Sequence, residues 1–275
     1  TYVLIGDMRG MTEEDIQAFR HRMGFDRPIL VQYFDWLKNA VRGDFGWSYK
    51  YKEDNWKIIV ERFPATLQLT VVSLILQLLV SFPLGVFAAL KRGTKWDSFS
   101  MVLALLGQSM PSFWIGLMLM MIFSVNLKWL PVSGRYEGIR SMVLPVITLS
   151  FYGIARNTRL IRSSMLEVLG EDYIRTARAK GQTERNVYIK HALRNVLIPV
   201  VTMVGMDLGS LLSGALVVET IFAWPGMGML TVNAINGKDI MMVQACVTLF
   251  ALMFVFANLL VDFTYTILDP RVRLQ

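Results

Sequence analysis

Residues 65–90, ATLQLTVVSLILQLLVSFPLGVFAAL, carry no charged side chain. No other feature constrains the fold as strongly. Coiled as a helix the run reaches about 39 Å, enough to cross a bilayer with tilt. Four further runs repeat the pattern. Residues 98–127 are uncharged and end at the aromatic anchor Trp129. Residues 141–158 are uncharged except for Arg156, and the pattern leaves their end open. Residues 195–218 hold one charge, Asp207. Residues 240–261 are uncharged, and the pattern continues to Leu268. Five spans give an all-α integral membrane protein, a polytopic helical bundle. Composition agrees: 54% of residues are hydrophobic and mean hydropathy is +0.44, too apolar for an ordinary soluble domain.

Pro83, Pro111, Pro145 and Pro199 fall inside four of the five spans. Proline removes a backbone donor and kinks a helix. In lipid this is tolerated where neighbouring helices satisfy the freed groups. Two readings stay open: the ordinary proline content of membrane helices, or a bundle built to flex.

The formal charge is +7 and the pI about 9.6. In a soluble chain this would suggest nucleic acid; in an apolar chain it reads as membrane topology, with Lys and Arg kept on the cytoplasmic side. Five spans divide the connections into two sets. Lys91, Arg92 and Lys95, the stretch 156–194, and Arg271 and Arg273 share one side, with fourteen basic residues in all. The opposite short loops, 128–140 and 219–239, hold Lys128, Arg135, Arg140 and Lys238. The positive-inside rule puts the first set, and the C-terminus, in the cytoplasm. The first residue is then outside. TYVLI, leading straight into a polar segment, reads as the stub of a preceding sixth span. No signal peptide is visible.

The polar stretch up to residue 62 forms the first of two expected units, 1–62, ahead of a membrane unit 63–275 with an inner loop 160–194 and an outer loop 219–239. TEEDIQAFRHRMG places Thr12 as an N-cap, Ile16, Phe19 and Met23 on one stripe, and Gly24 as a stop. VQYFDWLKNAVRG repeats the design with Val31, Phe34, Leu37 and Val41, then Gly43. Two amphipathic helices on the outer face are expected.

Catalytic and metal chemistry lacks its usual carriers. The one cysteine, Cys246, excludes an intrachain disulfide; His21 and His191 lie far apart with no cysteine cluster. There is no GxxxxGK[ST] phosphate loop, no HExxH pair and no paired nucleophile and base within the spans. A channel would call for a filter motif or a charged ring, and neither is evident.

Between the third and fourth spans lies DYIRTARAKGQTERNVYIKHALRNVLIP, residues 172–199. Glu171 and Asp172 open a helix and Arg178 and Lys180 close it, each sign matching the macrodipole. Gly181 stands where a left-handed terminating residue belongs. Thr183 caps the next helix, with Glu184 in its first turn. Two readings compete: a solvated basic loop that fixes topology, or a docking element. Tyr173, Ile174 and Ala177 make a small apolar patch among cations, suited to a partner's groove.

Asp207, alone in its span, is costly unless paired and functional by default. It faces the translocation path and attracts a cationic group, pairs with an arginine, hydrogen-bonds within the bundle, or is protonated. ETIFAWPGMG, residues 219–228, packs aromatics, proline and glycines after Glu219. It reads either as an interfacial loop with Trp224 in the aromatic belt or as a re-entrant piece at the outer mouth. Asp207, Glu219 and Trp224 are the candidate path residues. Gly205, Gly209, Ser210, Ser213 and Gly214 suit close helix packing.

Four stretches together carry a family resemblance. RTARAKGQTERNVYIKHALRN is similar to the cytoplasmic loop of ABC importer permeases, a Glu-Ala-Ala, three residues, Gly pattern. Registered on Gly181, only Ala177 of the triplet Arg175-Thr176-Ala177 matches it, and His191 and Arg194 depart from the later part. YIRTARAKG, however, is the usual form in the peptide-permease branch. GDFGWSY (43–49), VVETIFAWPGMG (217–228) and LDPRVR (268–273) agree. The whole resembles the first membrane subunit of oligopeptide and dipeptide importers. That resemblance implies six spans in a bacterial or archaeal cytoplasmic membrane. Asp172, Tyr173, Ile174, Arg175, Thr176, Ala177, Arg178, Lys180 and Gly181 would then form the coupling helix that meets an ATPase. It implies a second homologous permease subunit, two cytoplasmic ATPase subunits that bind ATP and Mg, and an extracytoplasmic binding protein. This chain would bind no cofactor and no nucleic acid. Related systems carry oligopeptides, dipeptides, nickel chelates or glutathione.

Overall fold

The apolar runs become long helices, and their pairing fixes the direction of each. The fold comes from a computed structural model that describes residues 26–268, with Glu14, Gln17 and His21. The expected first amphipathic helix, TYVLI and LDPRVR fall largely or wholly outside the described residues. The described chain begins with α1 (Ile29–Val41) and a two-stranded antiparallel hairpin, β1 (Trp47–Ser48) and β2 (Glu53–Asp54). Then follow α2 (Asn55–Leu90), α3 (Lys95–Ser109), α4 (Ser112–Leu119, continued as a π-helical turn Met120–Asn126), α5 (Ile139–Gly170), and the short α6 (Asp172–Ala179) and α7 (Glu184–Asn186). A second π-helical turn, Val187–Ala192, leads into α8 (Leu193–Ile221), then α9 (Met227–Asn236) and α10 (Ile240–Leu268).

α2 and α5 form the central pair. Gln68 Nε2 lies 3.3 Å from Met142 Sδ, Ser150 Oγ donates to the Ser73 carbonyl at 3.0 Å, and a Cβ on Gly85 would lie 2.7 Å from that of Ile161. Numbers rise together on both helices, so they run parallel. The chain between them must therefore return across the bundle. It does so along α5 in the opposite sense: Asp97 meets Arg162, Gly107 meets Ala155, and Gly116 meets Thr148. α3 and α4 are thus one broken span rather than a loop that turns back. α8 is antiparallel to the pair, with Asp207 on Asn157, Gly214 on Leu149 and Glu219 on Thr66. Gly209 packs on Phe254 of α10, while Met242 and Cys246 join Ile58 and Ile59 in one apolar cluster. α10 therefore runs with α2. Among the described residues five passes alternate in direction, so the connections after α2 and α5 lie at one end of the bundle and the loops 128–138 and 222–239 at the other.

The structure corrects several sequence boundaries. The run 98–127 is not one straight helix: its two halves meet at 102°. Met110 is extended (φ −90°, ψ 127°) because the ring of Pro111 disfavours helical backbone in the residue before it. Pro83, Pro145 and Pro199 instead lie inside continuous helices, as does Pro64. The axis bends by 43° between Glu184–Leu197 and Pro199–Leu212. The expected unit boundary at residue 62 falls inside α2, which starts at Asn55 under the side-chain cap of Asp54. The third span, whose end the sequence left open, continues to Gly170.

On length and composition α2 and α10 could each cross a membrane alone, and the pairs α3–α4 and α7–α8 could do so as bent spans. α5 falls short of that test for a structural reason. It is surrounded by α2, α3, α4 and α8, so it can carry buried Ser141, Thr148, Ser150, Asn157 and Thr158. Small and polar groups between helices replace the apolar face that lipid demands. The amphipathic reading of α1 holds in length but not in packing: Val31, Phe34 and Val41 are exposed, and Ala40 touches the core instead.

Candidate functional site

Two charges at the middle of the bundle meet. Asp207 on α8 is 2% exposed, and both its oxygens are engaged. Arg156 Nη2 donates to Oδ1, Gln77 Nε2 to Oδ2, and Asn157 Nδ2 to Oδ2 at 2.5 Å. Two helices supply the partners: α5 brings the adjacent Arg156 and Asn157, and α2 brings Gln77 across from Gly153. A methyl at Gly153 would collide with the Gln77 amide, so the glycine makes room for it. Of the readings open for Asp207, the structure shows both pairing with an arginine and hydrogen bonding within the bundle. Its carboxylate also lines a cavity of about 380 Å³ at the Met110–Pro111 break, with Gln108, Tyr152, Arg156 and Ser210. A second cavity of about 570 Å³ shares Gln108 and Arg156 and adds Arg159, Ser163 and Thr202.

The other two candidate path residues lie elsewhere. Glu219 and Trp224 are fully buried at the end of the bundle that holds the hairpin. The Thr66 hydroxyl donates to Glu219 Oε1 at 2.6 Å, and the Met229 N–H donates to Oε2 at 3.0 Å. Trp224 Nε1 donates to the Ala65 carbonyl at 2.9 Å, and the Met227 N–H donates to Thr66 Oγ1 at 2.8 Å. The 219–228 segment is therefore a buried turn: α8 ends, Ala223 takes φ 46°, and α9 starts against α2. The neighbouring cavity is lined by Ala223, Pro225 and Gly226, not by Glu219 or Trp224. Glu219→Leu should strand two donors and cost about 1–3 kcal/mol for each, whereas Glu219→Gln should cost less. Thermal unfolding in detergent measures the difference, and equal midpoints for both variants would contradict this role.

The same end holds an anchor the sequence did not reveal. Asp239, 1% exposed, accepts from Ser48 Oγ at 2.5 Å, from the Lys50 N–H at 3.2 Å and from the Met242 N–H at 3.2 Å. The GDFGWSY stretch is thereby tied to the start of α10. Phe45 stacks on Trp56 at 5.6 Å.

At the opposite end, α6 spans Asp172–Ala179, Gly181 takes φ 75°, and the Thr183 hydroxyl accepts from the Asn186 N–H at 3.4 Å. The helix, the glycine break and the cap all stand where the sequence reading put them. One part of that reading is reversed. Ile174 and Ala177 are buried against Met165, Val187 and Val196, so they hold α6 to the bundle rather than facing a partner. Their spacing of three places them on one face. Tyr173 stays 41% exposed and its hydroxyl accepts from Asn195 Nδ2 at 2.7 Å. The outward face is polar: Asp172, Arg175, Thr176, Arg178 and Lys180 are exposed. Arg178 pairs across the glycine turn with Glu184 at 2.9 Å, and that contact holds the Glu184 carboxyl below the usual range. Asp97, 5% exposed, accepts from Arg162 at 2.6 and 2.8 Å and from the Gly93 N–H at 3.0 Å, fastening the 91–97 loop to α5.

Residues 81–274 match the family described as the binding-protein-dependent transport system inner membrane component, and residues 5–70 match the N-terminal region of the same type of membrane component. The chain belongs to this permease family. It is 41% identical to the dipeptide transport system permease protein DppB of Escherichia coli, over 98% of this chain and 89% of that one. It is 40% identical to the di/tripeptide permease protein DppB of Pseudomonas aeruginosa, over 99% and 89%. It is 42% identical to the glutathione permease protein GsiC of Salmonella typhimurium, over 94% and 84%. Among solved structures, the inward-facing MetNI methionine ABC transporter superposes with a TM-score of 0.67 at 17% identity, covering 77% of this chain and 96% of that one. The permease is thus a multi-pass bacterial inner-membrane component with an ABC importer permease fold.

Proposed function

We propose that this permease forms half of the translocation path of an ATP-driven importer of short peptides, and that α6 is its coupling helix. The observation that carries the coupling is the rigid seat of α6. Ile174 and Ala177 lock it to α5 and α8, so a push on its charged outer face moves the bundle rather than a loose loop. The peptide class rests on the relatives, whose cargoes are dipeptides, tripeptides and glutathione, itself a tripeptide. The basic end of the bundle, with α6 and the C-terminus, faces the cytoplasm under the positive-inside rule.

In this assembly the work is divided. Two cytoplasmic ATPase subunits bind ATP and Mg and close on each other; a second, homologous permease completes the path; an extracytoplasmic binding protein delivers the peptide. The chain itself binds no cofactor and performs no catalysis. Its task is to hold two arrangements of nearly equal energy and to be switched between them by differential contacts at α6. The break at Pro111 and the bend around Pro199 are where such a bundle flexes.

Purification of the tagged subunit tests this. Two ATPases and one homologous permease should accompany it, and the reconstituted complex should import a labelled dipeptide only with ATP and the binding protein present. A homo-oligomer lacking those subunits would count against the reading.

A further inference from the structure

The cavity at the Met110–Pro111 break and the one adjoining it along α5 are lined by one acid and two bases. Asp207 is the acid, and its oxygens are already held by Arg156, Asn157 and Gln77. Arg159 is the surplus cation. It projects from α5 one turn beyond Arg156, and its Nη1 donates to Gln108 Oε1 at 2.7 Å. That amide, from the last turn of α3, uses one of five guanidinium donors and sets the orientation of the rest. Arg156 likewise commits Nη2 to Asp207 and Nε to Asn157. Two guanidinium groups, Arg159 exposed and Arg156 half-buried, therefore border two adjoining cavities that share Gln108 and Arg156, with a net charge of one positive.

From this we infer that the cavity is a passage site for an anionic end of the cargo, and that Arg159 is the side chain that meets a carboxylate there. The inference rests on the importer reading above and narrows it: a peptide would be guided by its C-terminal carboxylate, not by its ammonium end. The paired Asp207 has no spare charge to attract an amine. A guanidinium fork matches a carboxylate in shape and charge. The site need not bind tightly. A passage site works when it lowers the barrier to entering the bundle and lets go again.

The test uses the whole importer in proteoliposomes, with its binding protein and labelled alanyl-alanine. Three subunits are compared: unaltered, Arg159→Gln and Arg159→Lys. The Gln variant should import about tenfold more slowly, the factor expected for loss of one charge-assisted hydrogen bond, while ATPase activity stimulated by the binding protein is retained. The Lys variant should lose less than the Gln variant, about threefold, since it keeps the charge but not the fork. Import by Arg159→Gln at the unaltered rate would overturn the inference and leave Arg159 a topology determinant only. Equal losses in both variants would overturn it too, as would a fall in ATPase activity parallel to import. Absence of dipeptide import by the unaltered complex would instead refute the importer reading on which the inference rests.

Discussion

Arg156→Leu is expected to destabilise the folded permease by about 3–5 kcal/mol, the cost of leaving a buried charge without its partner. The loss should be asymmetric between the two partners. Asp207 is 3% exposed at its side chain and has nowhere to turn; Arg156 is 32% exposed and borders both cavities. Removing the arginine strands a carboxylate with two amides, Gln77 and Asn157. Removing the acid leaves a guanidinium that can swing into water. Asp207→Asn should therefore cost less than Arg156→Leu, and the double variant should recover much of the single arginine loss. Thermal unfolding in detergent, run as a double-mutant cycle, reads the coupling directly. Equal costs for the two single variants, with no recovery in the double, would mean that the pair is not the lock the geometry indicates.

This pair also shows how far the sequence could be read. Arg156 and Asp207 each stand as a single charge in an otherwise uncharged run, and opposite charges in two spans invite pairing. What the sequence withheld was the register. Which turn of α5 faces which turns of α2 and α8 depends on Gly153 admitting Gln77 and on Gly214 admitting Leu149, contacts between residues far apart in the chain. The long helices were legible because lipid imposes length and polarity on each span separately. α5 was the least legible because its neighbours, not lipid, set its polarity. The break at Met110 was legible only as a proline inside a span; three other prolines in equivalent settings leave their helices continuous.

The two ends of the bundle differ in the same way. Local signals fixed the 172–186 segment: the charge order of α6, the glycine and the Thr183 cap act within ten or so residues. Tertiary contacts fixed the 219–228 turn. Glu219 reads as a charge at a membrane boundary, where water is the ordinary partner, yet it is satisfied by Thr66 and by the backbone at Met229. Neither partner is marked in the sequence. The same holds for Asp239 and Ser48, which are separated by 191 positions.

Gly181→Val should leave the permease inserted and joined to its ATPases but lower import per ATP hydrolysed by about tenfold or more. The physical argument concerns backbone, not crowding. No atom lies within 4 Å of a Cβ built at Gly181, so a side chain has space. The cost comes from φ 75°, a left-handed conformation that disfavours residues with a Cβ by about 1–2 kcal/mol, and β-branched ones by more. A penalty of 1.4 kcal/mol is a tenfold shift in population. The turn would open, releasing the Gln182 N–H from the Ala177 carbonyl and Arg178 from Glu184, while Ile174 and Ala177 keep α6 on the bundle. Gly181→Asn separates two causes, because asparagine visits the left-handed region readily. If the turn's conformation is what coupling requires, Asn should retain most import while Val loses it. If the ATPase fills the open space beside Gly181, Asn should fail as badly as Val, and the contact surface rather than the turn would be the element that transmits force. Normal import by Gly181→Val would reduce the segment to a charged loop that fixes topology.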